Sequence, residues 1–215
     1  MYSEELEKMN IYCLLFDDYE TLDLMGPIEF LFRLPNVQLH YISKQGGLIK
    51  SYQGFKTDTV SITCLPEKSI LLIPGGQGTR QLVKDMPFLT WLTQLVDEAE
   101  FCLSVCTGSA LLAATKQLDG KWATSNKLAF EWVRQINPDV KWKAVARWVR
   151  DGKFYSSSGV TAGMDMTLGF IHDHYSQGLA QQIANQTEYI WNADPNKDEF
   201  ASLYGYSAKS NMTKA

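Results

Sequence analysis

The sequence has few of the residues that build metal sites and disulfide frameworks: three histidines and four cysteines among 215 residues. The cysteines show no paired spacing, so we expect no disulfides and a reducing, cytoplasmic compartment. No apolar run reaches the roughly 18 residues that a membrane span requires, and the polar, acidic start of the chain predicts no secretion signal. Basic residues are not in excess, because the net charge is −4, which argues against a nucleic-acid partner.

The composition is that of a globular protein, with 45% apolar and 20% charged residues. The length suits one domain, residues 1–215, with a polar tail from about residue 194. Its apolar runs lack clean alternation and are separated by helical segments, which predicts an α/β fold with a mostly parallel central sheet covered on both faces. The predicted strands are 11–16, 37–43, 69–73, 101–105, 140–142, 146–150 and 154–157, the predicted helices are 22–32, 87–99, 107–115, 127–135, 161–175 and 179–191, and 48–57 is expected to form a hairpin.

The most informative segment is 104–108 (SVCTG), where a buried strand meets a helix. So short a reversal forces Cys106 into a strained backbone conformation and exposes its side chain at the carboxyl end of the sheet, as in a nucleophile elbow. Gly108 lets the helix pack close to the strand. The helix N-terminus favours the thiolate, which is the nucleophilic form. The alternative is a small buried cysteine, which is how we interpret Cys13, Cys64 and Cys102.

A glycine-rich turn, 74–78 (PGGQG), follows the predicted strand 69–73. Glycines turn sharply and expose backbone N–H groups. The amides of Gly75, Gly76 and Thr107 are therefore candidates to stabilise negative charge on a substrate held by Cys106. The lysine of a phosphate-binding loop is missing, so nucleotide binding is not indicated. The alternative is a turn that only ends a strand.

These segments resemble the ThiJ/PfpI superfamily, which has the class I glutamine-amidotransferase-like fold. The resemblance implies a flavodoxin-like three-layer sandwich, usually a homodimer, with a cysteine on the elbow and an acidic residue from the first strand–helix turn beside it. It also implies a substrate- or oxyanion-binding position at Gly159. The matching stretches are LLFDDYETLDLMGPIE (14–29), LLIPGGQGTR (71–80), SVCTGSALLAA (104–114) and SSGVTAGMD (157–165).

Within the superfamily the chain is most similar to the isocyanide (isonitrile) hydratase branch. The acidic residue of that branch lies in a Leu-Asp-Leu-x-Gly-Pro motif, which 22–27 (LDLMGP) matches, so the resemblance makes Asp23 the partner of the cysteine. Thr107, directly after the nucleophile, also matches. The branch has a histidine in an Ala-Thr-Thr-His stretch where this chain has Asn126. If the residue at this position shapes the substrate pocket, the substrate preference of this chain differs from that of the hydratase branch.

The histidines offer no catalytic partner for the cysteine. His40 lies in a predicted strand, whereas His172 and His174 turn to different faces of a predicted helix and make a poor metal site. We therefore expect no Cys-His-acid triad, no metal and no cofactor.

The expected reaction is the hydration of a small-molecule isocyanide to an N-substituted formamide. The Cys106 thiolate attacks the terminal carbon to give a thioimidate, and Asp23, with a pKa raised by burial beside the sulfur, assists water. The hydroxyl of Thr107 orients water or substrate. Glu20 and Glu29 are alternative acids, and Asp23 alternatively only pairs with the helix dipole. The alternative functions are a stress chaperone, a glyoxalase- or deglycase-like enzyme, and a redox sensor in which Cys106 is oxidised reversibly.

Four aromatic residues stand near the end of the chain. They cover either the pocket or a dimer interface, or, more simply, pin the tail to the core. These residues are Trp191, Phe200, Tyr204 and Tyr206.

Overall fold

The computed structural model describes residues 9–207. Within this range six strands form the main sheet: β1 (Met9–Leu14), β2 (Val37–Ile42), β5 (Ser69–Ile73), β6 (Phe101–Ser104), β9 (Trp148–Asp151) and β10 (Phe154–Ser157). Their order is β2-β1-β5-β6-β10-β9, and every neighbouring pair is parallel except β9 with β10. The predicted mostly parallel α/β sheet is confirmed.

Two small pairs of strands lie outside the main sheet. A hairpin of β3 (Gly47–Lys50) and β4 (Lys56–Thr59) confirms the predicted excursion, and β7 (Trp122–Ala123) pairs in parallel with β8 (Lys141–Trp142). The β9–β10 connection turns at Gly152, whose φ of +60° is open to glycine without strain.

Helices cover the sheet in two groups. One group packs α1 (Thr21–Leu31), α6 (Ala162–His174) and α7 (Gln177–Gln186) together. The other group consists of α2 (Thr79–Leu82), α3 (Met86–Glu98), α4 (Gly108–Ala114) and α5 (Phe130–Ile136). All five residues of β5 are buried, as expected for a central parallel strand with both faces covered.

Two predictions about the fold differ from the structure, and one short helix was not predicted. The last helix ends at Gln186, not at residue 191, because the chain turns at Glu188, which has a positive φ of 52°. The short α2 follows the glycine-rich turn and was not predicted, since four residues carry no helical periodicity. Cys64 is exposed, not buried, because it lies in the loop between β4 and β5.

Residues 195–206, called the C-terminal segment below, lie against the domain. They include a 3-10 helix at Ala201–Tyr204, and Ala201 is buried. The main-chain N–H of Arg147 donates to the carbonyl of Pro195 at 2.8 Å, and that of Asp198 to Val145 at 3.1 Å. Among residues 9–207, no helix has the length and apolar character to cross a membrane.

Candidate active site

Cys106 occupies the turn between β6 and α4. Its φ of 56° lies in the left-handed region, which is strained for a side-chain-bearing residue. Gly108 lets α4 begin close to the end of β5, because a Cβ there would clash with the carbonyl oxygen of Ile73. The Cys106 N–H donates to the carbonyl of Ser158 at 3.1 Å. The predicted elbow geometry is therefore present.

The thiol of Cys106 is more enclosed than the elbow pattern predicts, since the residue is only 8% exposed. Burial, and next the charge of Asp23, raise the pKa of the Cys106 thiol well above its ordinary value. Hydrogen bonds from the backbone N–H groups of Thr107 and Val160 and from the Thr107 hydroxyl oppose that rise. The Thr107 amide at the start of α4 lowers the thiol pKa, in the direction predicted for a helix N-terminus, but burial of the sulfur outweighs it.

Asp23 lies in the first turn of α1 and is fully buried. Burial raises the pKa of its carboxyl from an ordinary value of 3.8 to about 8, and the Gly75 and Cys106 hydrogen bonds oppose this only in part. Its Oδ2 accepts from the Gly75 N–H at 2.9 Å, whereas Oδ1 is buried and has no hydrogen-bond partner of good geometry among the described residues. A carboxyl so placed holds its proton near neutral pH and has an oxygen available beside the thiol.

The glycine-rich turn positions these groups and does not itself face the sulfur. The Gly75 N–H is engaged with Asp23, and the Gly76 N–H donates to Thr107 Oγ1 at 3.0 Å. A Cβ on Gly75 would lie 2.6 Å from the Thr107 nitrogen and 2.9 Å from Asp23 Oδ2. In this geometry the amides of Gly75 and Gly76 orient the side chains of Asp23 and Thr107, whereas the amide of Thr107 does point to the sulfur.

The hydroxyl of Thr107 is directed by the groups that donate to it. It accepts from the Gly76 N–H at 3.0 Å and from Thr79 Oγ1 at 3.2 Å. The Thr107 hydroxyl also lies within donating distance of the Gly76 carbonyl, at 3.4 Å, and its hydrogen bond to the thiol lowers the thiol pKa. The sequence reasoning missed Thr79, although it stands in the matched stretch 71–80.

The loop at 158–161 forms the opposite side of the site. It includes Gly159, and its Val160 N–H reaches the thiol while the Val160 backbone has a φ of +25°, an outlier for a β-branched residue. Gly159 contacts Asn126, because a Cβ on Gly159 would clash with the Asn126 side-chain nitrogen. The sequence reasoning named Gly159 and missed Val160, the next residue of the same stretch.

A cavity of about 190 Å³ adjoins this loop. Asn126, Gly159 and Val160 form one side, and Phe200 and Tyr204 from the C-terminal segment form another. Asn126 Oδ1 also accepts from the Ala129 N–H at 3.1 Å, which fixes its side chain. Asn126, which stands where the hydratase branch carries a histidine, is thus part of the cavity wall.

The remaining candidate residues lie away from the thiol or serve other contacts. Glu29 is exposed and pairs with Arg33, while Glu20 accepts from Gln53 at 2.6 Å. His172 is exposed and His174 packs between Phe101 and Phe170. The expectation that the two helical histidines face different directions is confirmed. Within residues 9–207 no group of three or more His, Cys, Asp or Glu side chains could hold a metal ion.

Comparison of the sequence with known proteins identifies its family. The family model described as the DJ-1/PfpI family matches residues 9–173. An isonitrile hydratase of Pseudomonas putida is 33% identical over 183 residues, which is 84% of this chain and 78% of that protein.

Solved structures agree on the fold. A crystal structure of a THiJ/PfpI family protein from Pseudomonas syringae has a TM-score of 0.72 at 24% identity, over 85% of this chain and 76% of that one. Drosophila melanogaster DJ-1beta has a TM-score of 0.68 at 15% identity, over 86% of this chain and all of that one. At these identities the structures establish the fold alone, and the family follows from the sequence matches. This chain belongs to the DJ-1/PfpI family.

Proposed function

We propose that the protein is a cysteine-dependent hydro-lyase that adds water to an isocyanide and releases an N-substituted formamide. The observation that carries this proposal is the buried pair of Asp23, whose carboxyl pKa is raised to about 8, and Cys106. The 33% identity to an isonitrile hydratase supports the substrate class. A nucleophile next to a protonated acid suits an isocyanide, whose terminal carbon must gain both a heavy atom and a proton.

The first step forms a carbon–sulfur bond. The Cys106 sulfur attacks the terminal carbon of R–N≡C, its thiol proton passes to Asp23, and a carboxyl proton passes to the carbon. The product is the thioimidate R–N=CH–S–Cys106, and Asp23 ends the step still protonated. Oδ1 of Asp23, which has no hydrogen-bond partner of good geometry among residues 9–207, gives the carboxyl a second oxygen for this relay. Such a relay needs no resting thiolate, which agrees with the raised pKa of the thiol.

The second step consumes water. Water adds to the thioimidate carbon as Asp23 accepts a proton from it and returns one to the nitrogen, giving R–NH–CH(OH)–S–Cys106. The carbon–sulfur bond then breaks, the hydroxyl proton returns to sulfur through Asp23, and R–NH–CHO leaves. Negative charge on the sulfur is stabilised by the amides of Thr107 and Val160 and by the Thr107 hydroxyl.

The test is formamide release from cyclohexyl isocyanide and an aryl isocyanide by the purified, reduced protein. We expect turnover by the wild type and none by Cys106→Ala, with trapped thioimidate visible as an intact-mass increase equal to the substrate. Turnover by Cys106→Ala would contradict the proposal. No turnover by wild type, with the thiol shown to be reduced, would also reject it and redirect the search to carbonyl substrates and to reversible oxidation of Cys106.

We also propose that the protein forms a homodimer, as the family resemblance implies. The β3–β4 hairpin supports this, because Leu48, Tyr52, Phe55 and Val60 are each more than half exposed. Light scattering coupled to size exclusion would report about twice the 24.3 kDa chain mass, and a monomer at micromolar concentration would contradict it.

A further inference from the structure

The cavity of about 190 Å³ beside the 158–161 loop shares two of its lining residues with the surroundings of Cys106. Ser158 and Val160 line it, and each also contacts Cys106: the Ser158 carbonyl accepts from the Cys106 N–H, and the Val160 N–H reaches the thiol. A substrate whose carbon meets the sulfur therefore has this cavity as a neighbouring space for its remaining atoms.

The apolar part of the cavity comes from side chains that are exposed despite their size. Leu128 is 76% exposed, Phe200 52% and Tyr204 46%, and all three line the cavity. Large apolar side chains grouped in this way at a concave surface are typical of ligand sites.

The two cationic side chains that line the cavity, Lys127 and Arg147, are each paired with a buried carboxylate. Lys127 Nζ lies 3.4 Å from Asp198 Oδ2, and both side chains are almost fully buried. Arg147 binds Asp165 through Nε at 2.9 Å and Nη2 at 2.8 Å. Because each cation has its own carboxylate, the cavity offers no net positive charge to an anionic substituent.

The C-terminal segment that supplies Phe200 and Tyr204 lies outside the matched family region, 9–173. It is nevertheless firmly held. Asp198 is buried against Lys127, its Oδ1 accepts from the Phe200 N–H at 3.0 Å, and the ring of Tyr206 packs on Phe130 at 5.2 Å. Because the C-terminal segment is held in place and lies outside the matched region, its side chains can set the shape of the cavity without altering Cys106 or Asp23.

We propose that this cavity is the subsite for the substituent on the isocyanide nitrogen, that it accepts a neutral substituent of one ring, and that Phe200 and Tyr204 determine this specificity; the proposal rests on the proposed hydratase function. The cavity volume supports a ring substituent. A protein cavity of about 150 Å³ holds one benzene ring, so 190 Å³ accommodates a six-membered ring.

The first experiment compares kcat/KM for methyl, cyclohexyl and 2-naphthyl isocyanide and for isocyanoacetate. We expect cyclohexyl isocyanide to exceed the methyl compound by about tenfold or more, in line with the gain from filling an apolar pocket, and isocyanoacetate to be a poor substrate. Tyr204→Ala should raise the naphthyl-to-cyclohexyl ratio by about tenfold, and Phe200→Leu should raise it less.

Leu203→Ala is the matched control. Leu203 stands on the same 3-10 helix as Tyr204, is 74% exposed and does not line the cavity. We expect the ratio to stay within about twofold of wild type. Equal shifts in the Tyr204 and Leu203 variants, no shift in either, or a preference for isocyanoacetate would overturn the subsite.

The second experiment does not depend on turnover. In a Cys64→Ser background, which removes the exposed thiol, the alkylation rates of Cys106 by chloroacetamide and by N-cyclohexyl chloroacetamide are measured by intact mass and divided by those of free cysteine. A ring that binds the subsite makes the second reagent relatively faster, and Tyr204→Ala abolishes that advantage. If the ring advantage persists in a protein that hydrates no isocyanide, the hydratase function fails and the subsite stands. If every isocyanide is hydrated alike and the ring gives no advantage, the subsite fails and the function stands.

Discussion

Asp23 and Asp165 are two buried carboxyls in the first turns of two helices, and their surroundings differ. Asp23 is 0% exposed and Asp165 is 1% exposed. Asp165 accepts from Arg147 with one oxygen and from the Tyr189 hydroxyl at 2.9 Å and the Asn192 N–H at 3.0 Å with the other. Asp23 has the Gly75 N–H on one oxygen and, within residues 9–207, no good partner on the other.

In the proposed mechanism this difference separates a structural acid, Asp165, from a reactive one, Asp23. Burial raises the pKa of both carboxyls, but at Asp165 the charge of Arg147 and several hydrogen bonds oppose the rise. At Asp23 the opposing contacts are fewer, and the pKa reaches about 8. An incompletely bonded buried acid costs stability and gains the ability to exchange a proton at neutral pH.

The strongest test of this contrast is Asp23→Asn. We expect kcat/KM for isocyanide hydration to fall about 100- to 10,000-fold, because the amide cannot relay a proton. The free energy of unfolding should not fall, since the amide replaces an acid that is incompletely hydrogen-bonded. Full turnover by this variant with a substrate that Cys106→Ala cannot convert would remove Asp23 from the mechanism.

Asp165→Asn should lower the free energy of unfolding and leave turnover nearly unchanged, which is the reverse of the result expected for Asp23→Asn. The substitution leaves Arg147 buried without a charge partner, so we expect a loss of about 3–5 kcal/mol of unfolding free energy. Urea denaturation measures it, and kcat at a temperature where the variant is folded should stay close to wild type. A stable variant with impaired kcat would mean that the two acids do not differ in kind.

A gentler change at the same carboxyl is Tyr189→Phe. It deletes one hydroxyl donor to Asp165 Oδ1 and keeps the ring that packs on Phe30. We expect a loss of about 1.5–3 kcal/mol by urea denaturation, typical of a hydrogen bond to a charged group. Unchanged stability would show that Arg147 and Asn192 satisfy Asp165 without the hydroxyl.

The smallest effect concerns pH. As Asp23 loses its proton above a pKa of about 8, kcat/KM should decline about tenfold per pH unit. Between its ordinary value of 3.8 and about 8, the folded chain holds a proton that the unfolded chain has released, so this group makes the fold less stable as pH rises. Asp23→Asn should abolish both dependences, whereas Tyr189→Phe should leave both in place.

The parts of the site that follow one another along the chain were predictable. A strand, a cysteine, a small residue and a glycine before a helix are enough to indicate the elbow, and the positive φ of Cys106 confirms it. The raised pKa of Asp23 also follows from placing a carboxyl in the interior, although the contact with the sulfur lowers that pKa instead of adding to the rise.

The parts that depend on the exact fit of distant segments were not predictable. Whether desolvation or the helix end controls the thiol pKa depends on how closely the 158–161 loop covers Cys106, and no local pattern records that distance. Val160 contacts the thiol through its backbone N–H, so the identity of its side chain gives no indication of that contact. The buried Lys127–Asp198 pair joins residues 71 positions apart, so nothing in the tail's composition distinguishes Asp198 from its exposed neighbours.

The attachment of the C-terminal segment makes the protein a convenient starting point for enzyme engineering. Its fixed points are the Asp198 side chain and the Pro195 carbonyl, whereas Phe200 and Tyr204 face the cavity. A small library that randomises only those two positions would vary the binding surface within one short oligonucleotide. The elbow, its acid and its amide donors would be identical in every member, so differences between members would report recognition rather than chemistry.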